Sequence, residues 1–523
     1  MNVSEYIAKY LKKDNISTIF GYQGGNISIT IDAIVREGLN FVETYNEQGA
    51  SFAANAFAEI TGNYGVAISS SGPGAINMLN GIANAYYDGI PCLFITGDVN
   101  TNFRNKYPNV RQSEFQEVDI ISMCSPVVKK AYQVESAEEI PSILQDAKKI
   151  MFEGRKGPVL INLAHDIQKA YIETVDIPKT QSDNINRING TEKVIIEKLN
   201  AAKNPIVLIG NGYKDNKKQI KDWLDLTQLP FASTLKALDF YPDSQNYLGF
   251  AGNYGSVVAK DALNQADTIL VLGARLDVRV ISAISNFADK VIVHVDIDEG
   301  ELLKHDSKDY IRINCSLSDL DFAKMVYSNP TMLNVGNKDK SFECLSFKSF
   351  FSNFYWSGRA TYLLDVGLHQ MAAARYLKLK DNDRILSSGG LGSMGYSLPA
   401  AIGSYYADKE SSSIVICGDG GIQINLQELE IIRRERLPIK VFVLNNGCLG
   451  MIRNYQDFAL GSRYYATVEG FSSPSYNQLA KTFEMEYFKI EEYDHIESVL
   501  KSVQSIDRPC LIEVKIPVND NID

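Results

Sequence analysis

Residues 413 to 455, SIVICGDGGIQINLQELEIIRRERLPIKVFVLNNGCLGMIRNY, restrict the fold more than any other stretch of this chain. The apolar run Ile414 to Cys417 suits a buried parallel strand. A glycine turn follows, Gly418-Asp419-Gly420-Gly421, after which Ile422, Leu426, Leu429 and Ile432 recur at helical spacing. Beyond Pro438 a second apolar run, Val441 to Leu444, ends in Asn445-Asn446-Gly447. The pattern predicts strand, helix, strand, with the helix beginning near Gly421.

In such a unit ligands bind beyond the carboxyl ends of the strands, and both polar clusters fall there. Asp419 and Asn446 are therefore expected to face one another. The glycines permit close backbone approach, and a helix starting at Gly421 would aim its amide groups into the crevice, which favours a phosphate. A carboxylate beside an amide oxygen offers hard ligands, suited to magnesium bridging a diphosphate rather than to zinc.

At 523 residues the chain exceeds what one core supports, so several domains are expected. The net charge of −11, without a basic block, argues against nucleic acid. The opening MNVSEYIAKYLKKDN reads as an amphipathic helix, neither signal peptide nor membrane span. Seven scattered cysteines with no CxxC pair point to free thiols in a reducing cytoplasm. The five histidines show no metal-ligand spacing, which disfavours a zinc hydrolase.

Alternating helix and strand patterns predict an α/β protein of three doubly wound, Rossmann-like parallel-sheet domains, at 1–170, 190–330 and 355–523. Polar residues 169 to 195 read as a linker, and 330 to 360 as a second irregular segment. The outer two units echo one another. ISSSGPGAINMLN lines up with ICGDGGIQINLQE, IPCLFITG with LPIKVFVLN, and GPVLINLAHDIQ with RPCLIEVKI, in the same order, as a duplication would leave them. The first copy lacks the Asp and Asn-Asn, so it is free to hold another part of a ligand.

Gly-Asp-Gly, then the 24 residues Gly421 to Leu444, then Asn-Asn, resembles the thiamin diphosphate motif. With FGYQGGN, the stretch FVETYNEQGA, SSSGPGA and SGGLGSMGY, the chain resembles the acetohydroxyacid (acetolactate) synthase family along nearly its whole length. The resemblance implies pyrimidine-binding, central and diphosphate-binding domains in that order. It implies magnesium on Asp419, Asn446 and the main-chain oxygen of Cys448. Glu47 would touch the aminopyrimidine ring as the general base in relay, with Phe115, Gln116 and Lys129 bordering the substrate. Cofactor-binding positions would be Gly24, Gly25, His369, Gly392, Met394, Gly418, Asp419, Gly420, Gly421, Asn446, Leu449, Gly450 and Met451, with Met394 wedged beneath the bent cofactor. AGNYGS, GARLDVR and VDIDEGEL stand where such synthases bind FAD, and Arg279 matches a substrate-side arginine. Departures from the family pattern are Gln23, Asn46, Val278, Leu368, Gly421 and Tyr455.

The implied activity is decarboxylation of pyruvate or another 2-oxo acid and transfer of the two-carbon unit to a second carbonyl, in a homodimer or homotetramer with sites at the subunit interface. Open alternatives are another acceptor, such as a nucleotide-linked keto sugar, or simple decarboxylation. A non-catalytic subunit and a hydride-transferring Rossmann enzyme rank below these. The first would be expected to lose one of Glu47, Asp419 and Asn446, and the second lacks its Gly-x-Gly-x-x-Gly.

Overall fold

The computed structural model describes residues 1–107, 109–173, 190–328 and 344–522. Most of the expected linker and part of the second irregular segment lie outside the described residues. Three six-stranded sheets follow one another along the chain, and every strand pairs in parallel. The first holds β1 (Thr18–Gly21), β2 (Asn40–Glu43), β3 (Gly65–Ser69), β4 (Cys92–Asp98), β5 (Lys130–Gln133) and β6 (Val159–Ala164). The second holds β7 (Pro205–Ile209), β8 (Phe231–Ser233), β9 (Tyr247–Phe250), β10 (Thr268–Leu272), β11 (Val291–Asp296) and β12 (Asp309–Asn314). The third holds β13 (Ala360–Leu364), β14 (Arg384–Ser387), β15 (Ser412–Gly418), β16 (Lys440–Asn445), β17 (Glu486–Ile490) and β18 (Cys510–Lys515). Their apolar runs are buried on both faces, as helix-covered parallel strands require.

The first sheet is ordered β2-β1-β3-β4-β6-β5 and the third β14-β13-β15-β16-β18-β17, the same order counted from the start of each unit. Register agrees as well. Ile68 pairs with Ile95 and Ile95 with Ile161, while Ile416 pairs with Phe442 and Phe442 with Ile512. These are the residues that the sequence alignment of the two copies places opposite one another. The central sheet runs β12-β11-β10-β7-β8-β9, reversing direction between β10 and β7.

One apolar cluster joins the first and third units. The helix Glu47–Thr61 lies against Ser397–Ala407, and small residues bring the two backbones together. A Cβ on Gly403 would stand 2.0 Å from the carbonyl oxygen of Ala53, so glycine is required there. Phe52 and Tyr396 meet edge to face at 5.4 Å between ring centroids. Outer cores cover the far faces, built on Tyr6, Ile7 and Leu11 on one side and Phe350, Phe354 and Trp356 on the other.

The helix expected from Gly421 starts later. Residues 419 to 425 form successive turns, and regular helix runs only over Leu429–Arg434 after a 3₁₀ turn at Leu426–Glu428. Side chains in the turns bond to the main chain instead, Gln423 to the carbonyl of Asp419 and Asn425 to that of Gly395. The expected helix dipole aimed from Gly421 is thereby corrected, the amides of Ile422 and Ile424 closing the turns on the carbonyls of Gly418 and Gly421.

Candidate functional site

The third sheet gathers its polar residues at the carboxyl ends of β13, β15 and β16. Asp419, 1% exposed, follows β15 directly. One carboxylate oxygen accepts from the Gly447 amide at 2.7 Å and the other from that of Gly420 at 3.0 Å, which ties the two strand ends together. Burial pushes the Asp419 carboxyl up to about 6, against the pull of these amides. Asn446, buried beside it, places its amide nitrogen 2.9 Å from where a Cβ on Gly450 would be. Gly447, at φ +67°, turns the chain into Cys448 and the helix Gly450–Leu460, which begins beside Leu449 and contains Met451. The Leu449 and Met394 side-chain tips lie over Gly420, 2.5 and 3.5 Å from its would-be Cβ.

His369 is buried against Gly418, and burial holds its imidazole down to about 4, so the ring is neutral. Its Nε2 and the Nε2 of neighbouring Gln370 are buried without a hydrogen-bond partner among the described residues. Gly392, at φ +73°, has nothing within 4 Å of its would-be Cβ. Unpaired buried nitrogen, open glycine backbone and hard oxygens fit a diphosphate with its cation. Among the described residues no three His, Cys, Asp or Glu side chains converge. A cation here would thus take Asp419 as its carboxylate, with amide and main-chain oxygens completing the set.

Asp365, at the end of β13, was missed by the sequence reading. Its buried carboxyl accepts from the amides of Gly395 and Ser397 and from the Ser397 hydroxyl, pinning the loop that bears Met394. It also accounts for Gly421, because a Cβ there would lie 2.6 Å from an Asp365 oxygen. Leu368 is explained by apolar packing, 3.3 Å from the would-be Cβ of Gly450.

The first sheet offers a second set at its own carboxyl end. Glu47 opens the helix after β2, capped by Asn46, whose side chain accepts from the Gln48 amide at 2.8 Å. That cap role explains asparagine at this position. The Glu47 carboxylate is buried and accepts from the Asn77 side chain at 3.0 Å, close over Gly74. Gly24 packs on Ser70, Gly25 borders open space, and Gly72 rests on the backbone of Gln116, itself at φ +64°. Phe115 is 77% exposed.

Lys129 lies elsewhere. It precedes β5 at the amino end of the sheet and donates to the Glu153 carbonyl, so within one chain it stands at the opposite end from Glu47. The adjoining Arg155 and Lys156 reach a cavity of about 270 Å³ at the carboxyl ends of the central strands. Lys214, Lys236, Arg275 and Arg279 also line it, as do Gly212 and Gly273, which cross tightly there. Arg279 pairs with Asp277 and donates to the Gly389 carbonyl at 2.9 Å. Val278 is 76% exposed beside Asp277, which caps the short helix there.

Comparison with known proteins agrees with this architecture. The chain matches the N-terminal TPP binding domain of thiamine pyrophosphate enzymes over residues 1–123, the central domain over 193–319 and the C-terminal TPP binding domain over 365–514. It is 31% identical over 545 residues to the acetolactate synthase isozyme 2 large subunit of Escherichia coli (strain K12), spanning 100% of this chain and 97% of that one. It is 32% identical over 546 residues to the acetolactate synthase large subunit of Lactococcus lactis subsp. lactis (strain IL1403), spanning 99% and 93%. Over 550 residues it is 30% identical to the Haemophilus influenzae large subunit, spanning 99% and 94%.

Proposed function

The chain belongs to the thiamine pyrophosphate enzyme family, in the company of the acetolactate synthase large subunits. From that premise we propose that it is a thiamin diphosphate-dependent carboligase, which decarboxylates pyruvate and joins the two-carbon unit to a second carbonyl. The observation that carries this reading is the meeting of Asp419 with the Asn446 turn, beside the His369 Nε2, buried without a hydrogen-bond partner among the described residues, and the open Gly392 loop.

Thiamin diphosphate, when bound, supplies the carbon centre that takes up the acyl unit and its electron pair. Asp419, Asn446 and the Cys448 carbonyl would hold magnesium. Gly418, Gly420, Gly421, Leu449, Gly450 and His369 would form the diphosphate cradle, and the Met394 side chain would pack against the cofactor. Glu47 holds and returns a proton at the pyrimidine nitrogen. Phe115 and Gln116 border the 2-oxo acid, with Gly24 and Gly25 leaving room for its approach, and Lys129, at the other end of its own sheet, would join them only from a second copy of the chain.

Glu47 serves a second copy of the chain. In its own chain it is engaged by Asn77, while Ile452, Tyr455 and Phe458, the last 92% exposed, leave an apolar face beside the Asn446 turn. A homodimer or homotetramer would cover that face and bring the two residue sets together. The cationic cavity of the central sheet receives FAD, whose phosphates suit its arginines and lysines. A yellow protein with a flavin absorbance band is the expected result, and a colourless one removes FAD. The free thiols, six of the seven buried, accord with the cytoplasm. No described helix is long and apolar enough to cross a membrane.

The deciding experiment supplies labelled pyruvate with magnesium and thiamin diphosphate. Labelled acetolactate is expected. Acetaldehyde alone would overturn the carboligase assignment in favour of simple decarboxylation, and neither product would overturn pyruvate as the acceptor and point to another acceptor or donor.

A further inference from the structure

The helix Leu79–Asp88 of the first unit carries three polar residues at four-residue spacing, Asn80, Asn84 and Asp88. That spacing puts them in one row. Each meets the loop that follows β14. Asn80 accepts from the Ser393 hydroxyl at 2.7 Å and Asn84 from the Ser388 hydroxyl at 2.6 Å. Asp88 accepts from two successive amides, Gly389 at 3.0 Å and Gly390 at 2.6 Å. Ser388 then accepts from the Ser393 amide at 2.8 Å, closing the loop on itself.

We infer that Asn80, Asn84 and Asp88 are positioning residues, a ladder by which the first unit fixes the loop bearing Gly392 and Met394 in its own third unit. Three physical features support a role beyond general packing. Asp88 ends its helix, where the dipole disfavours an acid, and it is 8% exposed. Its charge is instead matched by Lys236 of the central unit at 3.4 Å, which also donates to the Ser387 carbonyl. The loop has no slack, since a Cβ on Gly389 would meet Lys236 at 2.7 Å and one on Gly390 would meet Arg275 at 2.8 Å. Asn84 is held in turn, donating to Asn55 at 2.8 Å inside the shared core. The far end of the loop is pinned by Asp365. Between these anchors Gly392 stands free, its left-handed backbone presented to the open cleft.

The inference rests on the reading of this loop as cofactor-facing. Its test uses the full-length protein with thiamin diphosphate and magnesium as the probe. Binding is followed by quenching of intrinsic fluorescence, and kcat and KM for pyruvate are measured separately. Asp88→Asn is expected to lower kcat about 100-fold, as displacement of a positioned group does, while KM for pyruvate stays within about 2-fold. Asn80→Ala and Ser393→Ala are each expected to weaken cofactor binding about 10-fold, and the double variant no further, because both remove one shared contact. Additive losses in the double variant, or native cofactor affinity and kcat in all variants, would overturn the ladder. Should Asp88→Asn fail to fold, the Asn80 and Ser393 pair decides alone. A wild type that binds thiamin diphosphate but yields no acetolactate defeats the carboligase reading and leaves the ladder to be judged by cofactor affinity. A wild type that ignores the cofactor defeats both.

Discussion

The first and third sheets share strand order and register, yet differ in the polar side chains that they bring to the cleft. Where β3 runs into Ser69-Ser70-Ser71-Gly72, β15 runs into Cys417-Gly418-Asp419-Gly420. Away from the cleft the two conserve an interaction while exchanging its parts. In the first sheet the Asn162 amide donates to Asp98 at 2.9 Å, and in the third the Asn445 amide donates to Glu513 at 2.7 Å. Asp98 and Asn445 occupy corresponding places at the ends of β4 and β16, as do Asn162 and Glu513 in β6 and β18. A carboxylate beside an amide is needed to close each sheet end, and which strand supplies which is immaterial. At the cleft, in the proposed reading, identity matters, because a cation and a pyrimidine ring ask for different groups.

That division of labour can be broken experimentally. Its largest expected effect is in Glu47→Gln, which should lower kcat by about 10²–10⁴-fold while thiamin diphosphate still binds, as loss of a general acid–base predicts. Undiminished turnover in steady-state assays would remove Glu47 from the chemistry. Asp419→Asn should do the reverse, weakening magnesium-dependent cofactor binding about 100-fold, roughly 2.7 kcal/mol, as read by titration calorimetry. Equal losses of binding in both variants would erase the distinction between the sheets.

The exchanged pair makes a finer test. Asn162→Ala leaves the buried Asp98 carboxyl short of a donor and should cost about 1–3 kcal/mol in urea unfolding. Asp98→Asn combined with Asn162→Asp, which copies the third sheet into the first, should recover most of that loss. No recovery would mean that the two arrangements are not equivalent.

The smallest effect concerns the place where the two units touch. Glu428, fully buried, accepts from the Tyr45 amide at 3.3 Å, just before Glu47, and burial raises its carboxyl to about 8. An acid raised on folding stabilises fully below its unfolded value, near 4.5, and loses that contribution as pH rises through about 8. The melting temperature should therefore fall by a few degrees between pH 7 and about 9. Glu428→Gln should flatten that slope, and an unchanged slope would refute the assignment.

Much of this was legible in the chain itself. Gly418 to Gly421 and Asn445 to Gly447 could be placed at neighbouring strand ends because strand and turn are contiguous in sequence, and the duplication shows because apolar runs keep their order. Asp365 and the ladder Asn80, Asn84, Asp88 were not legible. They act through backbone amides and serine hydroxyls of a segment far away in sequence, and such partners impose no local pattern. The helix start failed for a related reason, since Gln423 and Asn425 prefer main-chain partners that only the fold provides. Lys129 was grouped with Glu47 through resemblance, but only the parallel pairing of β5 with β6 reveals which end of the sheet it occupies.

The core shared by the helices Glu47–Thr61 and Ser397–Ala407 has a consequence during synthesis. Roughly 340 residues separate the two, and at about 5–20 residues per second the ribosome needs some 17–70 s, approximately, to deliver the second after the first. Through that interval the alanine-rich flank of the earlier helix has no mate, while the intervening central unit emerges and folds. The nascent chain must therefore be sheltered, by a holdase or by transient self-association of the leading half, and expression of residues 1–170 alone should end in inclusion bodies.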